Sequence, residues 1–175
     1  EYKTGDEPAM TSVKLTVEKI TPELNLEPKT QKIYDGEPID YRTINSSIYA
    51  GSVRVWEYKP IDADDSAYST TAPKNAGKYT VRLTTKEDDD FKEASAEVIY
   101  EITAKKVTIN GTTVKSSKVY DGNTNAEITS GGNVNGLVEK DKVTIVTGKA
   151  TYSNKNVGTD KVVTFSEFSL AGDDA

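Results

Sequence analysis

Cysteine and histidine are both missing from this 175-residue sequence. Their absence excludes disulfides, a thiolate nucleophile, a Ser-His-Asp triad and the ordinary ligand sets of zinc and haem. Basic residues are in deficit, 22 Lys and Arg against 28 Asp and Glu, with a pI near 4.8. Nucleic acid is therefore not expected as a partner, since a binder needs a basic face. No apolar run approaches the roughly 18 residues of a membrane-spanning helix, and no signal peptide opens the chain. Phosphate-cradling glycine patterns of the GxGxxG or GxxxxGK[ST] type do not occur either. Acid–base chemistry would fall to a pair of carboxylates, and these sit mostly in turn-like segments rather than flanking a cleft. The chain is not expected to be an enzyme.

What is present reads as strands and turns. Tyr79, Val81 and Leu83 alternate with Thr80, Arg82 and Thr84, the period-two signature of a half-buried strand. Val98, Tyr100 and Ile102 alternate likewise, and Val53 and Val55 face away from Arg54, Trp56 and Tyr58. Farther on, Val143 with Ile145 and Val163 with Phe165 repeat the pattern. Between these runs lie Asp35-Gly36, Asn75-Ala76-Gly77, Asn110-Gly111, Asp121-Gly122, Gly131-Gly132 and Asn135-Gly136. Asn-Gly and Asp-Gly reach positive φ cheaply, so a hairpin is expected at Asn110-Gly111 above all. The irregular stretch 60–76, bracketed by Pro60 and Pro73, has room for one short helical turn. The expected fold class is all-β, made of small β-modules.

The sequence also repeats. Lys32-Ile33-Tyr34-Asp35-Gly36 returns as Lys118-Val119-Tyr120-Asp121-Gly122, and strand-like segments precede each copy: Val13–Val17 with Leu24–Leu26, then Val98–Ile102 with Val107–Ile109. Up to residue 104 there are 13 basic and 20 acidic residues, and from 105 onward nine and eight, so the acidity belongs to the first part. Two modules in tandem are the economical reading.

Residues 118–175 resemble the YDG domain of bacterial surface proteins, through Lys118–Gly122, Asn156-Val157-Gly158-Thr159 with Val162-Val163, and Ser169–Ala175. Residues 21–104 resemble the related MBG (mostly beta-grasp) repeat, through Tyr34-Asp35-Gly36, Ala72–Val81 and Phe91-Lys92. The resemblance implies small β-grasp-like or immunoglobulin-like domains, a module at 21–104, a second at 105–175 lacking its final strand, and residues 1–20 as the last strand of a preceding repeat. Residues 11–19 would then dock on an open sheet edge of the same or a neighbouring chain. It further implies an extracellular setting, secreted or on a bacterial cell surface, in an adhesin-like protein. The role would be non-catalytic and structural, with neighbouring repeats as partners; the alternative is a module binding host or cell-wall glycan or protein.

Four groups of residues are candidates for more than folding. Tyr34, Asp35 and Gly36, and likewise Tyr120, Asp121 and Gly122, are expected to be structural turns whose tyrosine ring packs and whose hydroxyl finds a partner. Trp56 and Tyr58, with Arg54 on the same strand face, could stack on sugar rings, although a lone tryptophan is more readily explained as core. Asp62, Asp64 and Asp65 bring oxygen ligands close together in sequence, yet position six of a calcium loop would be Ala67 and position twelve Pro73, so calcium is not expected. The run Glu87–Asp90 reads as a solvated loop tip. Finally, surface β-domains can be stapled by a Lys–Asn isopeptide bond, which needs a buried lysine beside an asparagine and a carboxyl group. No cofactor is expected.

Overall fold

The computed structural model describes residues 12–28, 31–48 and 53–175. All of its regular elements are strands apart from two single 3-10 turns. The chain divides into two compact units that are not contiguous in sequence. Of the described residues, unit 1 gathers 12–28, 40–48, 53–72 and 79–100; unit 2 gathers 31–39, 73–78 and 101–175. The first Tyr-Asp-Gly turn is thus placed with the C-terminal strands.

In chain order the first strands are β1 (Leu24–Pro28), β2 (Lys32–Ile33), β3 (Ile44–Ile48), β4 (Arg54–Pro60), β5 (Gly77–Thr85) and β6 (Ala94–Thr103). Within unit 1, β1 pairs antiparallel with β3, and β4 with β5 from Arg54↔Thr85 to Pro60↔Tyr79. On β5 Val81 and Leu83 are fully buried as the alternation requires, but the alternation breaks at the end of the strand, where Thr84 on the outward face is buried at 8% exposure, and Lys78 at the start stays exposed. Opposite Val81 and Leu83 stand Tyr58, 5% exposed, and Trp56. In β6 Ala94, Ala96 and Val98 are half-buried, while Tyr100 and Ile102 on the same face are buried. Sequestering each such side chain is worth roughly 1.5–3 kcal/mol, which makes these strands the core of unit 1. The single helical turn anticipated after Pro60 is the 3-10 turn Asp65–Ala67. A second, Tyr41–Thr43, opens with Asp40 accepting from the Arg42 amide.

The expected strand at 13–17 does not form. Residues 12–19 belong to no ladder, with Val13, Leu15 and Val17 each at least 86% exposed; only Ile20 is bridged, parallel to Phe91. Residues 1–11 lie outside the described residues, so this terminal segment is seen only in part.

Unit 2 adds β7 (Thr108–Asn110), β8 (Thr113–Val114), β9 (Asn125–Ala126), β10 (Ile128–Ser130), β11 (Asn133–Asn135), β12 (Thr144–Val146), β13 (Lys149–Tyr152), β14 (Val163–Ser166) and β15 (Ser169–Ala171). β13 is the middle of a three-strand sheet with β14 and β9, and Ala150 at its centre is buried. β12 pairs with β15. Here the hairpin expected at Asn110-Gly111 is corrected. β7 pairs with β11 and β8 with β10, so 108–114 runs as one arm of a long antiparallel ribbon whose other arm is 128–135. Gly111, at φ +76°, is a kink in that arm, opposed by Gly131-Gly132. Positive φ serves a bulge as well as a hairpin, and the local sequence does not say which.

Candidate functional site

The two Lys-x-Tyr-Asp-Gly segments fold into one local device. In the first, Asp35 Oδ1 accepts the Glu37 amide at 3.0 Å, closing an Asx turn, and Gly36 takes φ +81°. Lys32 then clamps the turn, its Nζ 2.7 Å from Asp35 Oδ1 and 2.6 Å from the Glu37 carbonyl. The second copy has the same bonds: Asp121 Oδ1 accepts the Asn123 amide at 3.1 Å, Gly122 sits at φ +78°, and Lys118 Nζ lies 2.8 Å from Asp121. In both turns the lysine, helped by the amide two residues on, holds the aspartate below the usual carboxylate range.

Their surroundings differ. Lys32 and Ile33 form β2, paired parallel with Ile102 and Thr103 at the end of β6, and the Tyr34 amide donates to the Thr103 carbonyl at 2.8 Å. The Tyr34 hydroxyl donates to Asp141 Oδ1 at 2.8 Å across 107 residues of sequence. That bond, with burial and the charges of Asp141 and Asp174, pushes the phenol up to about 12. Around this pair lies a cleft of about 280 Å³ whose walls include Val107, Leu137, Val138 and Leu170, with Asp173 and Lys105 at its polar side. Tyr120, by contrast, is 61% exposed.

The aromatic strand face is split by burial. Tyr58 is almost wholly enclosed, and burial raises its phenol pKa. Trp56 is half-buried and stacks on Tyr41 at 5.4 Å between centroids, while Arg54 is exposed. The three acidic residues do not converge. Asp65 is engaged by Lys59 at 2.7 Å, and Asp64 precedes the short 3-10 turn without a side-chain capping bond; among the described residues no three carboxylates gather where a metal could sit. One Lys–Asn–carboxyl constellation does exist: Lys118 Nζ is 2.6 Å from Asn123 Oδ1 beside Asp121. With the Asn125 carbonyl at 2.9 Å and the Asn123 carbonyl at 3.5 Å as well, the ammonium group has acceptors for all of its protons. The lysine acts as a clamp.

A polar hub in unit 1 escaped sequence reasoning. The Arg82 guanidinium lies 3.6 Å above the Tyr68 ring and pairs with Glu57 at 2.9 Å. Lys59 approaches the same ring at 5.1 Å, and the Tyr68 hydroxyl donates to Glu97 at 2.7 Å. Burial and then Glu97 raise the Tyr68 pKa. Strand alternation places Glu57 and Lys59 together, but nothing local announces that Tyr68, in a loop, would cover them.

Taken together these are two β-units whose polar side chains are occupied mainly in holding turns and strands. Residues 103–175 match the family model of the YDG domain. No curated protein and no solved structure matches the chain.

Proposed function

We propose that the chain is a non-catalytic structural piece, a spacer or display unit, of a bacterial surface protein of the adhesin type. Under this reading it works outside the cell, with neighbouring β-modules as its partners. The observation that carries it is the lysine-clamped Asp-Gly turn, built twice with matching bonds, in which the chemically conspicuous residues serve the fold. The YDG match over 103–175 and the sequence likeness of 21–104 to MBG repeats support the same setting.

Single-molecule pulling tests it. A load-bearing module should unfold in a discrete event, and release of the 103–175 stretch should lengthen the chain by about 250 Å at roughly 3.4 Å per residue. Smooth extension without such an event would refute a mechanical role. A glycan array that shows specific binding, lost on Trp56→Ala with circular dichroism unchanged, would replace it with recognition through the aromatic strand.

A further inference from the structure

We propose that the second clamped turn, Lys118–Gly122, is a docking seat for another β-module, one that presents an apolar loop followed by a carboxylate. The inference rests on the spacer reading and specifies how one module would grip the next.

The occupied form of this seat is already in unit 2. Around the first turn, β2 pairs with the end of β6, Tyr34 donates to Asp141, and Val138 lies against Gly36 so closely that a Cβ there would meet its Cγ1 at 3.0 Å. The occupant is therefore the loop Leu137–Asp141, two apolar residues with a carboxylate three places after the second.

The second turn is internally the same and externally bare. Lys118 and Val119 belong to no strand, and Val119 is 87% exposed. Around Gly122 nothing lies within 4 Å of where a Cβ would stand. The Tyr120 hydroxyl, which corresponds to the donor that Tyr34 gives to Asp141, makes no side-chain hydrogen bond among the described residues. Beside the turn runs an open groove of about 650 Å³, lined by Tyr152, Val163 and the highly exposed Val157. Apolar side chains grouped in an open groove beside a turn that no strand covers mark a surface made to be covered. Charge selects the occupant: four lysines line this groove against Asp121 and Asp160. An acidic group on the incoming loop fits both that balance and the free phenol.

The test uses the whole chain, labelled with ¹⁵N, and a capped peptide of residues 136–143 as the probe. Saturable shifts of Val119, Tyr120, Gly122 and Val157 amides are expected, with a Kd in the millimolar range because a flexible peptide must be ordered to bind. Tyr120→Phe, which changes only an exposed hydroxyl, should weaken binding about tenfold, as should Asp141→Asn within the peptide. No shift at these amides with about 10 mM peptide would overturn the proposal, since binding weaker than that is no seat. So would shifts indifferent to both substitutions. Self-association of the chain in sedimentation that is lost in Tyr120→Phe but kept in Asp141→Asn would assign the seat to some other surface of a second copy, and equally overturn the occupant named here. None of these readings depends on whether the pulling experiment shows discrete events.

Discussion

Gly36 and Gly122 offer a matched pair of perturbations, because the same residue occupies the same turn conformation with and without a neighbour. An alanine forced into the left-handed region costs about 1–2 kcal/mol, partly offset by the roughly 0.4–1 kcal/mol it gains by restricting the unfolded chain. Gly122→Ala, with open space around it, should therefore cost about 1 kcal/mol. Gly36→Ala carries the same backbone cost plus a 3.0 Å contact with Val138, a stiff β-branched side chain. Forcing extra volume into a packed contact adds about 1 kcal/mol at the lower end of its range, giving about 2 kcal/mol in all. Urea denaturation followed by NMR resolves the two turns separately. With a slope near 1–3 kcal/mol per molar, the midpoint reported by residues around Tyr34 should fall by about 0.3–1 M more for Gly36→Ala than for Gly122→Ala. Equal losses, or a larger one at Gly122, would refute the claim that the first turn is covered and the second bare.

Other perturbations read other parts of the fold. Tyr34 titrates near 12 because its neutral form is held in the folded state, so its contribution is complete below pH 10 and is lost as pH rises through about 12; ¹³C NMR of the ring should show that midpoint, and Asp141→Asn should bring it down. Asp35 and Asp121 have lowered pKa values, so their turns contribute stability above the ordinary carboxylate pKa and lose it as pH falls below about 4, visible as faster amide exchange at Glu37 and Asn123 in acid. Leu83→Ala removes a fully buried side chain from β5 and should cost about 2–5 kcal/mol by denaturation, whereas Val157→Ala, 87% exposed, should change stability by less than about 0.5 kcal/mol.

Some of this was legible in the order of residues alone. Strand alternation follows from the two-residue period of the pleat, so Val81, Leu83, Tyr100 and Ile102 declared their inward faces. The Lys-x-Tyr-Asp-Gly turns are likewise local: lysine, aspartate and glycine lie within five residues, and bonds of that span need no distant partner. Partnership was not legible, because pairing depends on contacts across long stretches of chain that no short pattern encodes. Asn110-Gly111 supplies positive φ, but only the opposing Gly131-Gly132 turned that freedom into a kink rather than a hairpin. Val13, Leu15 and Val17 carry a strand's alternation and form none, since a strand needs a neighbour for its hydrogen bonds. Trp56 and Tyr58 share a face by sequence and part company by burial, one stacking on Tyr41 and the other enclosed. Identical turns at Gly36 and Gly122 were written twice in the chain; tertiary structure alone brought Asp141 and Val138 to one of them and left the other open, because the hydroxyl of Tyr34 finds its carboxylate 107 residues away.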